Sequence, residues 1–315
     1  RRVNDLLTLQ PGVTKEGYVA GGRSDQANIT LDGVDINDQQ TGGRTTQFQT
    51  TQSSALRITT EAVDEFRITT VGTNANQGRS SGAQISLNTR SGTNDFSGAL
   101  FFFQRPTFGS ANDFFNNLAG VERPKIDRNV YGGRFGGPIK KDKLFFFYSY
   151  ERQYQEIEDS VNQVVPLAHL GNGEIRFEGT GPSCAGGQCV VGLAELNNVI
   201  YPEVGINPLA VAALSSAASR YASNNTIVGD GINTGGFLFN SPIIDIENTH
   251  IARFDYIIND SQQLFFRANY QWDNTADVSA FPDTPALSSW SHPYGGVVGH
   301  NWTINNNMVN NFRLG

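Results

Sequence analysis

The chain has 315 residues, enough for one large or two ordinary domains, with 34 Gly, 21 Phe and 10 Tyr but one Met and four His. Only 17% of residues are charged, against about 25% in typical soluble domains, and a formal net charge of −7 gives no basic field for nucleic acid. No run approaches the roughly 20 apolar residues of a membrane-spanning helix, which leaves open a membrane barrel whose strands are apolar on one face only.

In chain order, the first 95 residues read as short elements joined by Gly, Asn, Thr and Ser. Asn4 to Leu9 reads as a short helix stopped by Pro11-Gly12. The stretch ANITLDGVDI at 27–36 alternates around a glycine turn and reads as a strand or hairpin. A helical turn at 60–64 feeds a strand at 65–71, and a strand at 84–89 leads through a turn to a new strand opening at Phe96. This part is expected to be a small α+β unit.

From Phe96 onward the expected strands are 96–104, 130–138, 143–153, 248–258, 262–272, 294–304 and 308–314. The fifth shows the pattern best. Leu264, Phe266, Ala268, Tyr270 and Trp272 alternate with Gln263, Phe265, Arg267, Asn269 and Gln271. Likewise Leu144, Phe146, Tyr148 and Tyr150 oppose Phe145, Phe147, Ser149, Glu151 and Gln153. Each strand is long enough to cross a bilayer, which takes about 9–11 tilted residues.

The connections alternate in length. IKKD, NDSQ and NNN are tight, whereas 105–129, 154–247 and 273–293 are long. Outer-membrane barrels alternate in this way because their periplasmic turns are short and their extracellular loops are not. The competing reading is a soluble or surface β-sandwich serving as a binding or adhesion module. It would bury Phe266, Tyr270 and Tyr256 against a second sheet and leave Arg253 and Arg267 outside. The chain opens Arg1-Arg2-Val3 and ends within an alternating segment, so it reads as a piece of a longer protein.

Three passages carry a family resemblance. VNDLLTLQPGV with GGRSDQANITLDGVDIND resembles the start of the plug of TonB-dependent outer-membrane receptors. EAVDEFRITTVGTNANQGRSSGAQISLNTRSGTNDFSGALFFF resembles the plug's end and its passage into the barrel. NVYGGRFGGPIKKDKLFFFYSYE resembles the first periplasmic hairpin of the Oar-like branch. The resemblance implies a mainly β fold: a plug over 1–95, then at 96–315 the first antiparallel up-and-down strands, about 7 of about 22, of an outer-membrane barrel. It implies uptake of an unknown solute (carbohydrate, peptide or metal chelate) and no enzymatic activity or cofactor. The implied partners are outer-membrane lipid and the TonB complex, which would act through a segment preceding this sequence. Val71-Gly72 departs from the Gly-Pro usual in siderophore plugs, which weakens an iron-siderophore assignment.

Several motifs invite chemistry. GRSSG at 78–82 fits a nucleophile elbow around Ser80, but it lacks the strand before and the helix after that such a site requires, and a glycine-rich turn is preferred. Asp32, Asp35, Asn37 and Asp38 cluster without a calcium-loop register, and a hydrogen-bonded turn is preferred. Cys184 and Cys189 are too few for zinc and suit a local disulfide in an oxidising exterior. His169, His250, His292 and His300 show no ligand spacing, so no metal site is expected. Asn207 and Pro208 signal a helix start in the longest loop.

Arg134, Glu151, Arg253, Asp255, Arg267 and Arg313 fall on the inward parity of their strands and are expected to meet plug charges such as Arg23, Glu61, Asp64, Glu65, Arg79 and Arg90. Arg23, Arg79, Arg90, Glu151 and Arg267 are the gating candidates. Phe108, Phe114, Phe115 and Trp290 are the candidates for solute contact.

Overall fold

The computed structural model describes residues 11–12, 27–37, 55–70, 78, 83–181, 184–200, 202 and 204–315. The expected helix at 4–9, Ser80, and the gating candidates Arg23 and Arg79 lie outside them. The small unit is a four-stranded sheet of β1 (Asn28–Leu31), β2 (Val34–Asp35), β3 (Val63–Thr69) and β4 (Gln84–Thr89), ordered β2-β1-β4-β3. Asp32 and Gly33 form its hairpin tip at φ 51° and 83°. An Asp-Gly pair suits this turn because both central residues need positive φ. Ile29, Leu31, Ile85 and Leu87 fill the core between the strands, each side chain contributing about 1.5–3 kcal/mol by burial.

The second sheet holds all seven strands expected from the period-two pattern: β5 (Ser97–Arg105), β6 (Ile126–Lys140), β7 (Leu144–Pro166), β11 (Thr234–Asn259), β12 (Gln262–Ala276), β14 (Tyr294–Asn305) and β15 (Met308–Leu314). They pair antiparallel in the order β15-β14-β12-β11-β7-β6-β5. Short β8 (Ile175–Glu178), β9 (Cys184–Ala185) and β10 (Gln188–Val191) form a separate sheet, and β13 (Ser288–Ser291) pairs with the end of β12.

The strand ends needed correction. The long connection expected at 154–247 is 167–233, because β7 and β11 keep pairing from Leu144–Tyr256 out to Pro166–Thr234. Pairs such as Ile157–Ile243 and Val161–Phe239 carry the ladder past Glu156, Glu158 and Asp159, whose charges interrupt the apolar period. At about 3.3 Å per residue, roughly half of this hairpin projects beyond the length needed to cross a bilayer. The connections at 105–129 and 273–293 are likewise shortened, by the earlier start of β6 at Ile126 and the later end of β12 at Ala276.

Burial on the large sheet is inverted relative to a soluble protein. Phe266 and Tyr270 are 45% and 47% exposed, while their neighbours Arg267 and Gln271 are 1% and 2% exposed. Among the described residues no second sheet covers the outward rings. Charged and amide groups inside with aromatic rings outside match a wall with lipid on its outer face. The small unit lies against the inner face, where Ala62 packs on Phe147 and Ile251.

Candidate functional site

Two like-charged pairs face each other across β11 and β12 on the inner face: Arg253 opposite Arg267, and Glu247 opposite Asp273. Directly opposed like charges destabilise a sheet unless a counter-charge joins them. The small unit supplies one at each place.

At the first, the hairpin tip of β1 and β2 presents Asp32. Its carboxylate lies 3.2 Å from Arg253 Nη1 and 2.9 Å from Arg267 Nε. It also accepts from the Thr89 backbone N at 2.9 Å and from the Thr89 hydroxyl at 2.9 Å. Arg253 donates to the Thr89 carbonyl at 2.9 Å and pairs with Asp255 at 2.8 Å. Arg267 also donates to Asn269. Two arginines and two aspartates thus neutralise one another in a nearly dry site. Phe265 lies beside it with Arg253 at 4.7 Å and Arg313 at 4.9 Å from its ring. Gly299 leaves the ring its space, since a Cβ there would overlap it.

At the second, Arg57 reaches between the acids. Its Nε is 3.3 Å from Glu247, and its two terminal nitrogens grip both oxygens of Asp273 at 2.6 and 3.1 Å. It also donates to the Thr249 hydroxyl at 3.1 Å, and its carbonyl accepts from Gln271 at 2.8 Å. Burial opposes the charged form, but Glu247 and Asp273 outweigh it and hold the guanidinium above its usual range. Arg134 pairs with Glu61 at 3.2 Å, and the hydroxyls of Thr59 and Ser149 lie 3.5 Å apart.

Of the gating candidates within the described residues, Arg267 sits in the Asp32 cluster. Glu151 lies on β7 opposite Thr249, the residue that accepts from Arg57. Arg90 pairs with Asp64 at 3.6 Å inside the small unit rather than across to the wall. Asp32, Arg57, Glu247 and Asp273 were not among the candidates. Glu247 and Asp273 each lie one residue beyond an expected strand end, so extending the inward parity by one step finds both.

The solute-contact candidates are exposed, and among the described residues no ring contact joins Trp290 to Phe108, Phe114 or Phe115. Phe114 and Phe115 meet edge-on at 5.4 Å in the short helix Phe114–Leu118, while Trp290 on β13 lies tilted against His292 at 5.2 Å. An open cleft of about 690 Å³ is lined by Thr107, Ser110, Asn112, Arg123, Lys125 and Glu158, and Phe108 is not part of that lining. Cys184 and Cys189 form a disulfide across the β9–β10 hairpin. The helix Pro208–Arg220 begins where Asn207 accepts from the Leu209 N–H at 2.9 Å.

Comparison with known proteins agrees with this geometry. The chain is 31% identical over 154 residues to the TonB-dependent transporter Oar of Myxococcus xanthus, a match spanning 47% of this chain and 14% of that relative. The outer membrane transporter YddB from Escherichia coli superposes on 96% of this chain and 35% of its own, with a TM-score of 0.56 and 12% identity, a likeness of fold. Residues 88–315 match the family model described as an outer membrane beta barrel domain, and the chain belongs to that family as a protein of the outer membrane.

Proposed function

We propose that the chain is part of a TonB-dependent outer-membrane transporter in which residues 1–95 form the plug and 96–315 the first strands of the barrel. Solute is captured at the extracellular loops and the plug, with Phe108, Phe114, Phe115 and Trp290 as contact surfaces. TonB then rearranges the plug to open a path, and no covalent chemistry is done. Arg23, Arg79, Glu151 and Arg267 belong to the charge network that holds the plug closed, and Arg90 braces the plug itself through Asp64. The observation that carries this reading is the docking of the small unit on the inner wall through Asp32 and Arg57. Such ion pairs, without a covalent tie, hold a gate yet let it be displaced.

The test is a reversible tether in the full-length protein. Thr59→Cys with Ser149→Cys joins the plug to β7 where the two hydroxyls now lie 3.5 Å apart. Cells expressing it are offered labelled oligosaccharide, peptide and ferric chelate. The expected result is TonB-dependent accumulation of one class, abolished by the tether and restored by reductant. Accumulation indifferent to TonB or to the tether overturns the reading.

A further inference from the structure

Five arginines bury Nε without a hydrogen-bond acceptor among the described residues: Arg90, Arg134, Arg152, Arg176 and Arg267. Four have a carboxylate within reach, at 3.6 Å for Arg90, 3.2 Å for Arg134, 3.9 Å for Arg176 and 2.9 Å for Arg267. Arg152 has none among the described residues. Its place on the sheet is also distinct. On β7 the outward positions run Leu144, Phe146, Tyr148, Tyr150 and then Arg152, so it is the first charge met on the lipid-facing side beyond the turn at 141–143. Eight residues separate it from Leu144, about 27 Å of strand. With the tilt usual in these barrels this approaches the height of the apolar band, about 25 Å.

In the aromatic row just below it, the polar groups of Tyr150 and His250 are occupied. Tyr150, His250, Tyr270 and Tyr294 stand in one cross-strand row. The Tyr148 hydroxyl meets His250 Nδ1 at 2.7 Å. Tyr150 donates to the Asn248 side-chain oxygen at 3.0 Å, and Asn248 donates on to the Trp272 carbonyl at 3.2 Å. Asn248 is the cross-strand neighbour of Arg152; its amide oxygen accepts from Tyr150 and carries no negative charge. The other neighbour, Tyr131, offers a phenol and no negative charge. A guanidinium has five donors and no acceptor capacity. Placed at the water edge of an aromatic belt, it is matched by a multi-oxygen anion lying in the headgroup plane.

We propose that Arg152 binds the headgroup phosphate of a membrane lipid at the long-loop rim of the barrel. The lipid's chains lie along Phe146, Phe254 and Phe266, and its phosphate takes the forked donors of Arg152 above Tyr150. The inference rests on the barrel reading but not on transport, so the uptake experiment above can fail without touching it.

The test uses native mass spectrometry of the full-length protein in maltoside micelles, titrated with dioleoyl phosphatidate, dioleoylglycerol or inorganic phosphate. Phosphatidate is expected to be retained and dioleoylglycerol lost. Arg152→Gln is expected to weaken phosphatidate retention about tenfold, the loss of one charge-assisted contact, and Arg152→Lys to fall between. Equal retention of phosphatidate by wild type and Arg152→Gln overturns the site, as does equal retention of the two lipids by wild type. The second comparison stands even if a variant fails to fold. Displacement of phosphatidate by millimolar inorganic phosphate would mean a free-anion site and would also overturn the proposal.

Discussion

At one docking point a single carboxylate, Asp32, 2% exposed, faces a cross-strand pair of arginines; at the other a single guanidinium, Arg57, 18% exposed, faces a cross-strand pair of acids. The two wall pairs lie six residues apart along β11, about 20 Å. The opposed signs encode the docking register. A slide that carried Asp32 towards Glu247 and Asp273 would set three acids together, and repulsion excludes wrong placements as effectively as attraction selects the right one. Each wall pair is costly by itself, so the inner face is electrostatically complete only with the small unit seated. A third site of the same chemistry stands in water. Asp283, in the connection after β12, accepts from Arg220 at 3.0 Å and from the Tyr221 hydroxyl, with side-chain exposures of 60% for Arg220 and 46% for Asp283. The three sites grade one interaction by burial.

The largest effect is expected at the driest site. Asp32→Ala leaves two apposed arginines without their counter-charge, at a cost of about 3–5 kcal/mol to docking of the small unit. Hydrogen exchange of β1 and β4 against urea, in the full-length protein, measures it. Adding Arg267→Met is expected to recover at least half, because the uncompensated charge is then removed. No change on Asp32→Ala would break the comparison at its strongest point. At the slightly more exposed second site Arg57→Met is expected to cost about 1–3 kcal/mol on the same measurement, since some water reaches the acids there. Arg57→Lys keeps the charge but loses the two-pronged grip on Asp273, so its loss is expected near half that of Arg57→Met.

These sites were unequally legible in the sequence. The seven strands and their inward and outward faces follow from a period of two, which survives reading without any neighbour. The Asp-Gly turn is likewise local, and Asp32 was placed correctly as a turn residue. Its ionic role was hidden because Arg253 lies 221 residues away and no local pattern connects them. Arg57 sits in SSALRITT, where neither period holds. The projecting half of β7 and β11 was lost for a different reason. Its ladder continues through Glu156–Asp159 on cross-strand pairing, and a strand's own apolar alternation is silent about what its partner supplies.

The smallest effect is expected at Asp283, and there pH is the probe. The Tyr221 hydroxyl, then the Arg220 guanidinium, hold the Asp283 carboxyl below its usual range, and the same hydrogen bond raises the Tyr221 phenol above its own. For Asp283 the folded pKa is depressed. Its contribution is therefore full above the ordinary carboxylate value and is lost as pH falls through the lowered one. For Tyr221 the folded pKa is raised. That contribution is full below the ordinary phenol value and is lost as pH rises through the raised one. The contact between the two long connections thus holds over a window closed at both ends, while Tyr221 stays stacked on Phe281 at 4.3 Å. A spin label at Leu287→Cys in the full-length protein reports it, since Cys184 and Cys189, the two cysteines of this sequence, are joined in a disulfide. Its mobility is expected to stay flat near neutral pH, to rise only once the pH falls below the ordinary aspartate range, and to rise again only once it passes above the ordinary tyrosine range. Asp283→Asn is expected to give the mobile spectrum at every pH. A profile that Asp283→Asn leaves unaltered would remove the exposed site from the series and leave burial, rather than charge pairing, as the cause of order in that loop.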